Sequence, residues 1–183
     1  MNSSDNIVAR LAREHQIINR YVKDFENKFA INDPNILFAK LSDFSKAMER
    51  ELVRHFELEE LIFFPAALIG NPDYNTTLLV LKLQKEHGAL ERDLETICRF
   101  VNSGVQDHDR INPILLKKIN RFFDILKIHA RTELTELFPL IDSTPASKKL
   151  LDQFAADLQK NSDRQSRVAS SVGDMPKIID KST

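Results

Sequence analysis

The sequence has few of the residues that mark secreted, membrane-bound or nucleic-acid-binding proteins. Its single cysteine, Cys98, excludes an internal disulfide framework and suits a reducing compartment, so we expect a cytoplasmic protein. No run approaches the roughly 18 apolar residues of a membrane-spanning helix, and the polar start Met-Asn-Ser-Ser-Asp-Asn lacks a signal core. A net charge of −1 gives no reason to expect nucleic acid or a membrane as partner.

Glycine is also scarce, and its scarcity bears on the fold class. Four glycines in 183 residues, abundant Leu, Lys and Glu, and no alternating apolar pattern predict an all-α fold. The periodic apolar positions predict four long helices over about 3–30, 34–70, 73–103 and from 113 onward. We expect an antiparallel up-down-up-down four-helix bundle over residues 1–142.

The chain after the bundle is predicted to divide into two parts. Thr144-Pro145 opens a short accessory helix over residues 143–160 whose apolar side either covers the bundle or meets a second subunit in a homodimer. Residues 161–183 are mostly polar, which predicts a flexible tail.

A motif that occurs twice organises the four helices. A histidine is followed four residues later by a glutamate and then by a Phe-Pro pair, at identical spacing: His55, Glu59 and Phe64-Pro65, then His129, Glu133 and Phe138-Pro139. Because positions i and i+4 lie on the same helix face, each copy directs an imidazole and a carboxylate to one point. Glu14-His15 and Glu86-His87 precede the two copies, so the chain reads as a twofold repeat of a helix pair.

The histidines of the first and third helices fall at core positions. His15 and His87 each fill the missing place in a row of apolar residues, and the distances to the connecting loops put all four histidines at about one level. Gly88, beside His87, predicts close approach of another helix.

Buried carboxylates beside these imidazoles need a compensating positive charge, and no Lys or Arg lies on the inward faces. A metal site is therefore predicted, against the alternative of a metal-free bundle with satisfied core histidines. Mixed His and Glu ligands favour iron or manganese over calcium, and the lack of thiolates argues against a zinc finger.

The residues of this set resemble those of the hemerythrin-like (HHE cation-binding) domains over roughly residues 5–142. The resemblance implies a non-haem di-iron centre with two Fe ions, an oxo- or hydroxo-bridge, and reactivity toward dioxygen, peroxide or nitric oxide. It implies bridging roles for Glu59 and Glu133 and terminal roles for four histidines: His15, His55, His87 and His129. The chain also resembles the oxygen-carrying hemerythrins, which have a further histidine where this sequence has Glu91. We interpret Glu91 as a surface glutamate, and a role as a metal ligand is the alternative.

Three hypotheses for function remain open on the sequence, which does not decide whether the protein is an enzyme. The first is a binding module that takes up O2, NO or peroxide for storage, sensing or a stress response. The second is a di-iron oxidase, peroxidase or NO-detoxifying or iron–sulfur-repair enzyme. The third is an iron-dependent structural switch that exposes a partner surface when the metal is lost.

Overall fold

Helices account for nearly all of the residues that the computed structural model describes, which are 3–29, 34–103 and 113–173. No strand occurs in these ranges, so the predicted all-α fold is confirmed. Two short π-helical turns, π1 and π2, interrupt the helices. The elements in chain order are α1 (Ser3–Phe29), α2 (Pro34–Leu58), π1 (Glu59–Phe63), α3 (Phe64–Gly70), α4 (Tyr74–Asn102), α5 (Pro113–Thr132), π2 (Glu133–Leu137), α6 (Phe138–Ser143) and α7 (Pro145–Gly173). The sequence also predicts a helix cap at Asp33 and a polar loop with His108, and both lie outside the described residues.

The start of α4 shows how a local polar network begins a helix. Asp73 is the N-cap, and its Oδ1 accepts a hydrogen bond of 2.8 Å from the backbone N–H of Thr76. The side-chain amide of Asn71 donates to Asp73 Oδ2 at 2.8 Å. Because the first N–H groups of a helix have no partner within it, this network sets where α4 begins.

The two π-turns begin at the two glutamates of the repeated motif. The backbone N–H of Phe64 donates to the carbonyl of Glu59, five residues back, and Phe138 makes the same bond to Glu133. Pro65 and Pro139 follow directly; a proline has no N–H to donate four residues back and its ring crowds that carbonyl. The sequence predicts that Pro65 disturbs the helix in which it lies, and the disturbance is a wider turn, which starts at a motif carboxylate in both copies.

The core consists of two apolar clusters, one on each side of the motif histidines. The larger cluster joins the second half of α1, α2 from Leu41 to Phe56, the second half of α4 and α5 from Leu115 to Leu126. Its buried members include Ile18, Leu41, Met48, Leu52, Phe56, Leu90, Ile97, Ile119 and Phe122. The smaller cluster joins the first halves of α1 and α4 to the end of α2, to π1, α3, π2 and α6, and to α7, and it includes Leu11, Leu58, Ile62, Phe63, Phe64, Leu83, Leu137 and Leu151.

Contacts between neighbouring helices follow the order expected of antiparallel pairs. Along α4, Glu86 meets His129 while the later Asp93 meets the earlier Lys118 on α5. The same reversal holds where α4 meets α2 and π1. This order brings the middle of each long helix to the same level.

α7 packs against α1, α3 and α6, and Leu151 and Ala155 are buried in the smaller cluster. It covers one end of the bundle, while the predicted homodimer stays a prediction. The helix extends to Gly173 rather than ending near residue 160, because the polar residues after Asn161 include no glycine or proline before Gly173. Residues 174–183 lie outside the described chain, so the flexible tail stays a prediction for them. Within the described ranges, no helix has the length and apolar content needed to cross a bilayer.

Candidate metal centre

All six motif side chains lie in a buried polar layer between the two apolar clusters. His15 is the most accessible at 6% exposure, and Glu59 and Glu133 are at 0%. The repeat explains this convergence, since each half of the chain contributes two histidines and one glutamate from the same heights on its two helices. The six residues form two overlapping groups of four.

The first group, called here the His15 set, comprises His15, His55, Glu59 and Glu133. The Nε2 atom of His15 lies 2.9 Å from Glu133 Oε2 and 3.9 Å from Glu59 Oε1. His55 Nε2 lies 3.0 Å from Glu59 Oε1. One ligand atom from each member lies within 4.8 Å of all the others, which is compact enough to surround a single ion.

The second group, the His87 set, comprises His87, His129, Glu59 and Glu133. His87 Nε2 lies 3.1 Å from Glu59 Oε2, and His129 Nε2 lies 3.0 Å from Glu133 Oε1. The two Nε2 atoms are 3.2 Å apart. This set therefore matches the His15 set in composition, with two imidazole nitrogens and two carboxylate oxygens.

The glutamates belong to both sets through different oxygens. Oε1 of Glu59 faces His55 while its Oε2 faces His87. Glu133 presents Oε2 to His15 and Oε1 to His129. Two carboxylates that each offer one oxygen to either side are the arrangement that can bridge a pair of ions.

Three further glutamates contact the outer nitrogens of the histidines. Nδ1 of His55 lies 3.4 Å from Glu14, Nδ1 of His129 lies 3.1 Å from Glu86, and Nδ1 of His87 lies 2.8 Å from Glu60. An Nδ1–H that donates to a carboxylate leaves Nε2 with its lone pair directed into the polar layer, which is the tautomer a metal ligand needs.

The charges of the layer shift the pKa values of three of its members, His55, His129 and Glu59, in the metal-free protein. Burial lowers the pKa of His55, but attraction to Glu59 and a hydrogen bond to Glu14 outweigh it and raise the pKa to about 9. Burial likewise opposes the charged form of His129, yet its interactions with the carboxylates of Glu133, Glu59 and Glu86 raise its pKa to about 11. Burial raises the pKa of Glu59, but His55 and the hydrogen bonds from the other imidazoles hold it well below its usual range. The carboxylates thus hold positive charge on His55 and His129 when no cation supplies it.

The residues present fit a metal in two respects. Several buried ligand atoms have no hydrogen-bond partner despite the short distances, among them His15 Nε2, Glu59 Oε1 and both carboxylate oxygens of Glu133. Among the described residues, the ion pairs of Glu59 and Glu133 are all to histidines, so no Lys or Arg neutralises them. A cation between these atoms would satisfy both the unpaired lone pairs and the buried negative charge.

A comparison with known protein families identifies the family of this chain. The family model of the hemerythrin HHE cation-binding domain matches residues 6–141. The chain belongs to this hemerythrin family. The match spans all four long helices and both copies of the motif, as the resemblance noted from the sequence implied. Searches of curated proteins and of solved structures found no match.

Among the other residues of interest, some contact the buried polar layer and others lie outside it. Glu91 is exposed and, with Cys98, borders a groove of about 280 Å³ between α2 and α4, outside both sets. Tyr21 and Tyr74 are exposed at 37% and 75%. The contact of Glu60 with His87 was not predicted, because Glu60 has no counterpart in the second copy of the motif.

Proposed function

We propose that this hemerythrin-family chain is a non-haem di-iron protein that binds O2, NO or peroxide at its buried polar layer. The proposed ligands are His15, His55, Glu59, His87, His129 and Glu133. The observation that carries the proposal is the division of the oxygens of Glu59 and Glu133 between the His15 set and the His87 set.

The donor types support iron as the metal. Each set offers two imidazole nitrogens and two carboxylate oxygens. Iron binds such a mixture of ligands well, whereas calcium and magnesium prefer oxygen ligands alone. When bound, a pair of iron ions would supply redox chemistry and coordination positions for a small molecule. Four protein atoms per ion are fewer than the six of an octahedral ion, so such positions remain.

The protein's own residues would control what reaches the site. Phe56 stacks on the imidazole of His87 with ring centroids 3.8 Å apart, and Phe64 lies on the same imidazole at 5.3 Å. Phe138 lies 6.0 Å from His15. These rings exclude water and favour small, weakly polar molecules such as O2 and NO over charged substrates.

Metal analysis of protein purified without oxygen, together with a Mössbauer spectrum, tests the metal assignment. We expect two iron ions per chain in wild-type protein and in Glu91→Gln, which alters an exposed glutamate outside both sets. Glu59→Ala should lose both ions, because both sets share that carboxylate. Retention of two ions in Glu59→Ala, or wild-type protein with no bound iron, would refute the assignment.

Optical spectroscopy tests the small-molecule ligand. Reduction without oxygen followed by exposure to air or NO should produce a new visible charge-transfer band, which should vanish when the gas is removed. The band should be absent in His129→Ala and present in Glu91→Gln. Catalytic loss of peroxide or NO that depends on His129 would instead identify the protein as an enzyme.

A further inference from the structure

The twofold repeat makes the two sets comparable position by position. His15 corresponds to His87, and His55 corresponds to His129. The outer carboxylates of the two motif histidines correspond as well, since Glu14 contacts His55 as Glu86 contacts His129. In these three pairs of residues the two halves of the layer are alike.

The repeat fails at one outer carboxylate. Glu60, which contacts His87, directly follows Glu59, and the residue that directly follows Glu133 is Leu134. Both positions are partly open to solvent, with the Glu60 side chain 46% exposed and Leu134 56% exposed. A leucine cannot accept a hydrogen bond, so the counterpart of the Glu60 contact is missing.

His15 shows the consequence of that change. Its Nδ1 atom is buried and has no hydrogen-bond partner among the described residues. The other three histidines each have a carboxylate at Nδ1: Glu14 for His55, Glu60 for His87 and Glu86 for His129. His15 is therefore the one imidazole of the layer whose ring no outer acceptor orients.

Packing adds a second difference between the sets. Phe56, which stacks on His87, is replaced by Ala130 in the second copy of the motif. The other two ring contacts have counterparts: His15 has an edge contact with His55 at 4.5 Å, as His87 has with His129 at 4.8 Å, and a tilted contact with Phe138 at 6.0 Å where His87 has Phe64 stacked at 5.3 Å. His87 is thus fixed by two stacked rings and a carboxylate, and His15 by fewer constraints.

We propose that the two sets hold metal unequally, with Glu60 acting as a positioning residue that makes the His87 set the tighter one. The inference rests on the proposed metal-binding function and extends it. An Nδ1–H donated to a carboxylate fixes the ring and makes Nε2 a stronger donor, and losing such a partner typically costs about 10- to 100-fold in metal affinity. The ion of the His15 set should therefore leave first.

Release of iron from the fully loaded protein to an excess of chelator tests this inference. Wild-type protein should release its iron in two phases of equal size that differ roughly 10-fold or more in rate. Glu60→Leu should accelerate the slow phase toward the fast one. Glu57→Leu, which removes an exposed glutamate of α2 three residues earlier, should release iron as wild type does.

Restoring the missing acceptor provides the converse test. Leu134→Glu should slow the fast phase, whereas Ile128→Glu, which places a glutamate at an exposed apolar position of α5, should leave it unchanged. Glu60→Gln keeps an acceptor at His87 and should retain most of the slow phase, which a purely structural role of Glu60 would not predict.

The results separate this inference from the proposed function. Protein that holds fewer than two ions before chelation contradicts the di-iron assignment itself. Two bound ions that leave in a single phase, or Glu60→Leu with the release of Glu57→Leu, overturn the inequality of the sets and leave the assignment intact. A fast phase unchanged in Leu134→Glu likewise counts against the missing acceptor as its cause.

Discussion

At the scale of single residues, the environment of Cys98 in the groove between α2 and α4 predicts how fast its thiol reacts. Burial raises its pKa, with a further contribution from the negative charge of Glu49, and the thiol lies 4.0 Å from the carbonyl of Ser45. Because the thiolate is the reactive form, native protein near pH 8 should react with a thiol reagent more slowly than the unfolded chain. A stopped-flow comparison with and without denaturant measures the ratio, and equal rates would contradict the structure.

The ligand candidates and their neighbours were predictable to different degrees. The convergence of the six motif residues followed from i, i+4 spacing and from the repeat, because both properties are written in the sequence. The contact of Glu60 did not, since a glutamate turns toward an imidazole of another helix only once the helices are packed, and even there the Glu60 side chain stays 46% exposed. The ligand roles of the six residues stay a prediction until metal is measured.

At the scale of helices, Gly70 allows α7 to approach the end of α3. A Cβ atom placed on Gly70 would overlap the backbone and side chain of Ser147, which has no room to move because Ser147 is fully buried. Gly70→Ala should therefore lower the free energy of unfolding by about 1–3 kcal/mol, as overpacking does.

Gly88 serves as the matched control for Gly70. Its surroundings also differ from the expectation that another helix lies close to it. A Cβ atom there would meet only the flexible end of Arg92 at 3.3 Å, so none of the described helices approaches it as the sequence had suggested. Gly88→Ala should stabilise α4 by up to about 1 kcal/mol. Chemical denaturation of both variants measures the two effects, and a destabilised Gly88→Ala beside an unaffected Gly70→Ala would contradict both.

The packing of α7 makes a second prediction at this scale. Leu151 is 2% exposed and belongs to the smaller apolar cluster, so Leu151→Ala should lower the free energy of unfolding by about 2–5 kcal/mol. Leu81→Ala, at a position 55% exposed on α4, should change it by less than about 0.5 kcal/mol. Equal stabilities of the two variants in denaturant titrations would show that α7 does not cover the bundle.

The helix boundaries show which local signals the sequence carries. The start of α4 was predictable because Asp73 and Pro72 mark it chemically. The end of α7 was not, because polarity after Asn161 indicated a tail, while backbone propensity without glycine or proline continues the helix to Gly173. The π-turns were foreseen only as a disturbance by Pro65, since the sequence does not show whether a helix kinks or widens before a proline.

For the molecule as a whole, the buried polar layer predicts that metal contributes to stability. Six polar side chains between two apolar clusters are costly when no ion satisfies them, and an ion that binds only the folded state stabilises it. A ligand at about 1,000 times its dissociation constant contributes roughly 4 kcal/mol, which corresponds to a melting temperature higher by about 10 °C for a chain of this size. Calorimetry of the iron-loaded and chelated forms measures the shift.

The same comparison needs a variant that cannot hold metal. Glu59→Ala should melt at one temperature with or without iron, because both sets share that carboxylate, so that any shift seen there comes from metal bound elsewhere. Identical melting of the two wild-type forms would contradict a stabilising site in the layer. Limited proteolysis of both forms would further show whether metal loss opens the bundle, as the structural-switch hypothesis requires.

The repeat has a final consequence for assembly. Residues 3–70 alone contain His15, His55 and Glu59, and two copies of that segment would supply four imidazoles and two carboxylates. A dimer of two such halves would contain Glu60 and Phe56 twice. A half-chain that associates with itself would therefore form a symmetric centre, whereas in the single chain Leu134 and Ala130 take the places of the second Glu60 and Phe56.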